Sequence, residues 1–339
     1  MKYSLIILVF ILFISCQSNS KMKGNHSADL KFRIDSIIEG NNFNGVVLIT
    51  KDTDTIYFRA FGYSDLENKI ETKLNDQFVI GSISKQITAV LVLREYEKGN
   101  LTLQDKIGKY LPDIKQSWAN DIDIHQLLTH THGITTVDAP LAFEPGSKFQ
   151  YSQLGYELLA QILEKVTGKP FNKLSTELFA TYGLSNTYHP GNKTYKNLVK
   201  GYEEKENGKL EYVTNSLDNY AAAGSFISNA ADLNKWNKLL YSGKLVNKKT
   251  LKLMKTRYAT RLHPVFDKIE YGYGLLFKDG ESTTQIGAFG YAPGFVSACY
   301  YYPKNNMNLI VFENTARNLN NFKETFRVHT GLMELIKNQ

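Results

Sequence analysis

Ser82 and Lys85 stand three residues apart at the head of a stretch, Ser82 to Lys98, whose centre Ile87-Thr-Ala-Val-Leu-Val-Leu93 is apolar on nearly every face. Residues three apart on a helix share a face, so this spacing leans Lys85 over Ser82. A serine hydroxyl is a weak nucleophile until a base takes its proton. A lysine becomes such a base when burial and the positive end of a helix dipole lower its pKa. The start of a buried helix supplies both influences, and it presents a backbone N–H to a developing oxyanion. Taken alone, the same spacing also describes a capping serine followed by a solvated lysine.

The elements that must hold this pair can be read on either side of it. All-round apolarity predicts that the Ser82–Lys98 helix is buried, with Gly99 supplying a left-handed cap. A second helix is predicted over Ser152 to Thr167, where Leu154, Leu158, Leu159, Ile162, Leu163 and Val166 mark one face and Gly168 and Pro170 end it. Tyr151 stands just before its first turn. Upstream, the runs Gly45–Thr50 and Thr55–Phe61 read as a hairpin; downstream, Tyr273–Phe277, Thr283–Ala288, Phe295–Tyr302 and Asn308–Glu313 read as short antiparallel strands. A sheet built from distant parts of the chain around a mostly helical middle is an α+β arrangement.

With those elements in view, Phe78-Val-Ile-Gly-Ser-Ile-Ser-Lys-Gln86 resembles the active-site segment of class C β-lactamases and their penicillin-binding-protein-like serine hydrolase relatives. The resemblance continues in order through Leu101–Lys106, Leu127–Gly133, Phe143–Gly146, Tyr151–Tyr156, Ala222–Ser225 and Pro293–Phe295. It implies a β-lactamase/transpeptidase-like fold, with an antiparallel sheet flanked by helices, a mainly helical subdomain, and a cleft between them. It further implies that Ser82 is acylated, that Lys85 is its base, that Tyr151 relays protons to the leaving group, and that no cofactor or metal takes part.

Two motifs depart from the pattern of the relatives. In the Tyr-x-Asn motif Gln153 replaces Asn, keeping the amide on a longer stem. Where the relatives carry Lys or His, then Ser or Thr, then Gly, this chain has Ala288, Phe289 and Gly290. The backbone N–H of Tyr291 is implied as the second oxyanion donor and does not depend on those side chains. The reading is a hydrolase of esters, amides or D-amino-acid peptides. Because Ala288 lacks the cation and Phe289 takes up room, weak β-lactam turnover and a preference for uncharged substrates are expected; a cation from elsewhere would restore the anion site. A catalytically silent binder of cell-wall peptides or another ligand is the alternative.

Composition narrows the field further. The 339 residues are 42% hydrophobic and carry a formal charge of +7, a mild basic excess without the concentrated basic surface of a nucleic-acid binder. The Lys244–Arg257 run fits the solvated face of a helix whose apolar face uses Leu245, Leu251 and Met254. His125, His130 and His132 lie close in sequence but lack a third ligand at zinc-site spacing. Met1-Lys2 followed by the apolar run Leu5–Ile14 reads as a signal peptide over 1–15. Phe13-Ile14-Ser15-Cys16 resembles a bacterial lipobox, which implies lipid attachment at Cys16 and a membrane anchor in the cell envelope. Residues 16–28 then read as a flexible tether and 29–339 as one catalytic domain. Cys299, within an apolar run, reads as a buried small hydrophobe.

Overall fold

The computed structural model describes residues 16–214, 220–280, 283–337 and 339, and the chain forms two compact units, Met1–Asn42 and Phe43–Gln339. In the first unit, helix α1 spans Cys16–Glu39. It therefore runs through the stretch read as a tether, a correction with a simple cause. Gln17 to Ala28 is polar, but Gly24 is its only strong helix breaker and it has no proline, so nothing in it stops the helix that continues to Glu39. The signal segment 1–15 lies outside the described residues, as does the Cys16 side chain.

The second unit is built on an eight-stranded sheet, whose strands are β1 (Gly45–Lys51), β2 (Asp54–Phe61), β3 (Ala259–His263), β4 (Asp267–Tyr271), β5 (Leu276–Asp279), β6 (Thr284–Ala292), β7 (Phe295–Tyr302) and β8 (Met307–Glu313). They lie in the order β2-β1-β8-β7-β6-β5-β4-β3. Every neighbouring pair is antiparallel. The first and last strands of the sheet in chain order meet, β1 pairing with β8 from Gly45 opposite Glu313 to Lys51 opposite Met307. The α+β arrangement expected from two separated β blocks is the one adopted.

Helices cover both faces of the sheet. On β7, Cys299 Sγ donates to Asn237 Oδ1 of α4 (Ala230–Tyr241) at 3.3 Å, while Tyr302 Oη donates to the Met333 carbonyl of α5 (Arg327–Lys337) at 3.4 Å. Strand residues of odd and even number point to opposite faces, so the two helices lie on opposite sides. That is why β7 and β8 read as nearly continuous apolar runs rather than alternating ones.

Two further helices position the chemistry. A 3₁₀ turn at Gly81–Ile83 leads into α2 (Ser84–Glu97), and α3 (Gln153–Thr167) packs against α2. From Ser84 to Leu93 every residue of α2 is buried. Each of its large apolar side chains contributes about 1.5 to 3 kcal/mol by leaving water, which holds the start of the helix firmly. Gly99 follows α2 with a φ of +75°, as expected of its cap. Sheet and helices share one continuous apolar core reaching from Val46 through Ile87 and Leu159 to Phe312.

Two differences from expectation bear on the site. The strand read at Tyr273–Phe277 starts instead at Leu276, because the chain turns at Gly272, whose N–H donates to the Leu275 carbonyl at 2.8 Å. Strands β3 and β4 were not anticipated; their mixture of charged residues with Pro264 between them carries no clear alternation. Pairing of β5 with β6 ends at Leu276 opposite Gly287. Beyond it, Ala288–Ala292 has β7 on one side and, among the described residues, no strand on the other.

Candidate active site

The turn bearing Ser82 sits against that unpaired half of β6, and two glycines make the approach possible. Gly81 has a φ of +55°, and a Cβ there would lie 2.5 Å from the Tyr291 nitrogen. A Cβ on Gly290 would lie 2.1 Å from the Ile80 carbonyl oxygen. Contacts this short with backbone cannot be relieved by turning a side chain, so Ser82 is placed beside the β6 backbone only because both residues lack side chains.

The hairpin geometry explains which β6 groups face the serine. Pro293 and Gly294 form a two-residue turn closed by Ala292 opposite Phe295, so Tyr291 opposite Val296 falls in the next, wide pair. Backbone groups of a wide pair point out of the ladder, here toward Gly81 rather than toward β7. The Tyr291 N–H is thereby turned toward the turn that bears Ser82, the side on which the resemblance implies an oxyanion hole.

Lys85 Nζ lies 3.5 Å from Ser82 Oγ, 2.8 Å from Gln153 Oε1 and 2.6 Å from the Ala223 carbonyl oxygen. Both carbonyl oxygens can only accept, so they take two N–H groups of the amine. A neutral amine has two such groups and one lone pair, which leaves the lone pair for Ser82. Burial holds the Lys85 pKa below the usual lysine range and the Arg261 charge lowers it further, while Tyr151 and Glu157 pull it back up. Tyr151 Oη donates to Ser82 Oγ at 2.6 Å. Its ring lies beneath Lys85 Nζ, 4.6 Å away.

Tyr151 and Gln153 are aimed by the start of α3. Ser152 caps that helix, its Oγ accepting from the Gly155 N–H at 3.1 Å, and this leaves Tyr151 just outside the first turn. The His130 ring lies 4.6 Å from the Tyr151 ring. His130 Nδ1 accepts from the Ser152 N–H at 3.3 Å, so Nε2 carries the proton and donates to Tyr271 Oη at 3.1 Å. Burial keeps this imidazole neutral, well below the usual histidine range.

The three histidines weighed as metal ligands go to separate partners. His125 Nδ1 meets Tyr273 Oη at 2.8 Å, while His132 Nδ1 accepts from the Ile134 N–H at 2.9 Å. Among the described residues no cluster of His, Cys, Asp and Glu could hold a metal ion. Cys299 is buried, and its thiol is pushed up to about 12, which leaves it unreactive.

A cavity of about 210 Å³ opens over Ser82, lined by Lys85, Tyr151, Gln153, Ala288, Phe289 and Tyr291 among others. Ala288 and Phe289 therefore stand where the third motif was expected. Phe289 is nevertheless turned into an aromatic wall, its ring 4.5 Å from Phe326, 5.1 Å from Phe266 and 5.3 Å from Tyr300. The Tyr291 side chain donates to Glu203 Oε1 at 2.8 Å, so only its backbone serves the serine.

Three participants escaped the sequence reading. The Ala223 carbonyl is one, although its segment Ala222–Ser225 was among the quoted motifs. Glu157 is another. It lies one turn beyond Gln153 and accepts from the Ala223 N–H at 3.2 Å; burial raises its carboxyl to about 7, against the lowering effect of that bond and of Lys85. The i, i+4 spacing from Gln153 was the available signal. Arg261, on β3, is the third; it lines the cavity with its guanidinium 4.7 Å over the Tyr151 ring.

Comparison with known proteins gives the family. A family description, Beta-lactamase, matches residues 33–330. A penicillin-binding protein of Bacillus subtilis (strain 168) is 26% identical over 86% of this chain and 73% of its own. A teichoic acid D-alanine hydrolase of Staphylococcus aureus is 27% identical over 80% of this chain and 72% of its own. The crystal structure of D-amino acid amidase from Ochrobactrum anthropi SV3 with D-phenylalanine superposes with a TM-score of 0.81 at 22% identity, covering 91% of this chain and 99% of that one. With the family description matching most of its length, this chain belongs to the Beta-lactamase family.

Proposed function

We propose that the protein is a serine hydrolase that cleaves esters, amides or D-amino-acid derivatives through an acyl-enzyme on Ser82. The observation that carries this reading is the convergence of Lys85 Nζ and Tyr151 Oη on one hydroxyl, at 3.5 and 2.6 Å. Ser82 Oγ attacks the substrate carbonyl carbon and passes its proton to the Lys85 amine, while the Ser82 and Tyr291 N–H groups hold the oxyanion. As the tetrahedral centre collapses, Tyr151 gives its proton to the departing alcohol or amine and is reprotonated from Lys85. Water then attacks the acyl-serine carbonyl, the same groups take its proton, and as the bond to Ser82 Oγ breaks they return that proton to the serine and the acid leaves. The names of the Staphylococcus hydrolase and the Ochrobactrum amidase support D-amino-acid esters and amides as the substrates to try first. Intact-mass analysis after a fluorophosphonate probe is the test. One adduct on the wild type and none on Ser82→Ala is expected, whereas a folded wild type that never labels would favour a silent ligand-binding protein.

We further propose export and lipid attachment at Cys16, on the strength of the Leu5–Ile14 run and Phe13-Ile14-Ser15-Cys16. The Cys16→Ala protein should leave the membrane fraction of an expressing bacterium. Unchanged partitioning would remove the anchor from the account.

A further inference from the structure

The cavity over Ser82 holds a cation with no anion to meet it. Other arginines of this unit are engaged: Arg257 pairs with Glu270 and Asp279, Arg317 with Glu204, and Arg94 donates to Tyr182 Oη and the Leu245 carbonyl. Arg261, by contrast, makes one long side-chain hydrogen bond among the described residues, Nε to the adjacent Leu262 carbonyl at 3.4 Å, and no carboxylate among them pairs with it. It is only partly exposed, and its guanidinium is stacked over the Tyr151 and Phe149 rings at 4.7 and 5.4 Å. Stacking of this kind satisfies the faces of a guanidinium and leaves its N–H edge free.

The surroundings favour an anion at that edge. The cavity lining contains Arg261 but no Asp or Glu, and burial keeps its His263 imidazole neutral, the pKa lowered to about 3. An arginine withdrawn from water without a counter-charge is costly, and a bound carboxylate would relieve that cost through two parallel charge-assisted hydrogen bonds. The position that lacks a cation, Ala288, lines the same cavity. The two facts are complementary: the charge absent from β6 is present on β3.

We infer that Arg261 anchors a carboxylate of the substrate beside the scissile carbonyl, so that the natural substrate is an anionic ester or amide rather than an uncharged one. This inference deepens the hydrolase reading and rests on it. It also revises the expected preference for uncharged substrates, which followed from Ala288 alone.

A matched pair of thioesters tests it: N-benzoylglycine esterified to thioglycolate, which carries a free carboxylate, and the same compound with a carboxamide in that place. Thiol release gives kcat/KM for each. The wild type should prefer the carboxylate, and Arg261→Gln should reduce that preference about ten- to a hundredfold, with Arg261→Lys recovering part of it. Equal losses on both thioesters in Arg261→Gln, leaving their ratio unchanged, would overturn the inference and make Arg261 a residue that acts on Tyr151 and Lys85. Calorimetry with N-benzoylglycylglycine, the peptide analogue whose carboxylate stands where that of the thioglycolate does, needs no turnover. Binding weakened at least tenfold in Arg261→Gln, in a wild type that cleaves neither thioester, would sustain the anion site while removing the hydrolase reading. Binding that does not depend on Arg261 would remove the site.

Discussion

Replacing Lys85 by Met should slow acylation by about a thousandfold or more, the range expected for loss of a positioned general base. The variant should fold at least as well as the wild type. Lys85 is buried with its pKa below 10.5, so the unfolded chain binds a proton more readily than the folded one. Wild-type stability accordingly rises with pH between the folded-state pKa of Lys85 and 10.5, and below that window the buried amine is a burden that Met does not carry. The same reasoning fixes the sign of the activity profile. Attack requires the neutral amine, so kcat/KM should climb with pH through the lowered pKa of Lys85. Ionised Glu157 favours the ammonium, and Glu157→Gln should therefore move this acid limb to lower pH. A limb that stays put in Glu157→Gln, or a Lys85→Met enzyme with near-normal rates, would show that another group takes the serine proton.

Gly81→Ala should cost about a hundred- to a thousandfold in kcat, comparable to the loss of an oxyanion-hole donor. A methyl group there would be 2.5 Å from the Tyr291 nitrogen and 2.7 Å from the Gly290 carbonyl carbon. The serine turn and β6 must separate to admit it, which carries the Tyr291 N–H away from the oxyanion. The φ of +55° adds backbone strain, so a lower melting temperature should accompany the loss. Fluorophosphonate labelling distinguishes the effects: slow labelling in a folded protein locates the damage in the hole, whereas a fully active, folded Gly81→Ala enzyme would refute this placement of Tyr291.

The unequal legibility of these features has a physical basis. Helix α2 could be read because total burial leaves an unbroken apolar run, and α3 because half-burial leaves a 3.6-residue period with a serine cap before it. Strands β7 and β8, covered on both faces, are likewise visible as apolar runs. Strands β3 and β4 lie at the far edge of the sheet, where exposed and buried positions are mixed with charges, and Arg261 was hidden with them. Ser82, Lys85, Tyr151 and Gln153 do meet, as their local spacing and the resemblance implied. Ala223, Glu157 and Arg261 arrive through long-range packing, which no local pattern records. The departure at Ala288 was legible, but its compensation was not, because a missing charge shows in a motif while its replacement shows only in space.

The central claim is that Ser82 carries the acyl group, and trapping that ester tests it most directly. The wild-type enzyme would be mixed with the benzoylglycyl thioester, quenched in acid within one turnover, digested and mapped by tandem mass spectrometry. The account predicts a benzoylglycyl group on the peptide containing Gly81–Lys85, localised to Ser82 and absent from Ser82→Ala. Turnover of the thioester by the wild type with an adduct on a different residue, or equal turnover by folded Ser82→Ala, would contradict it.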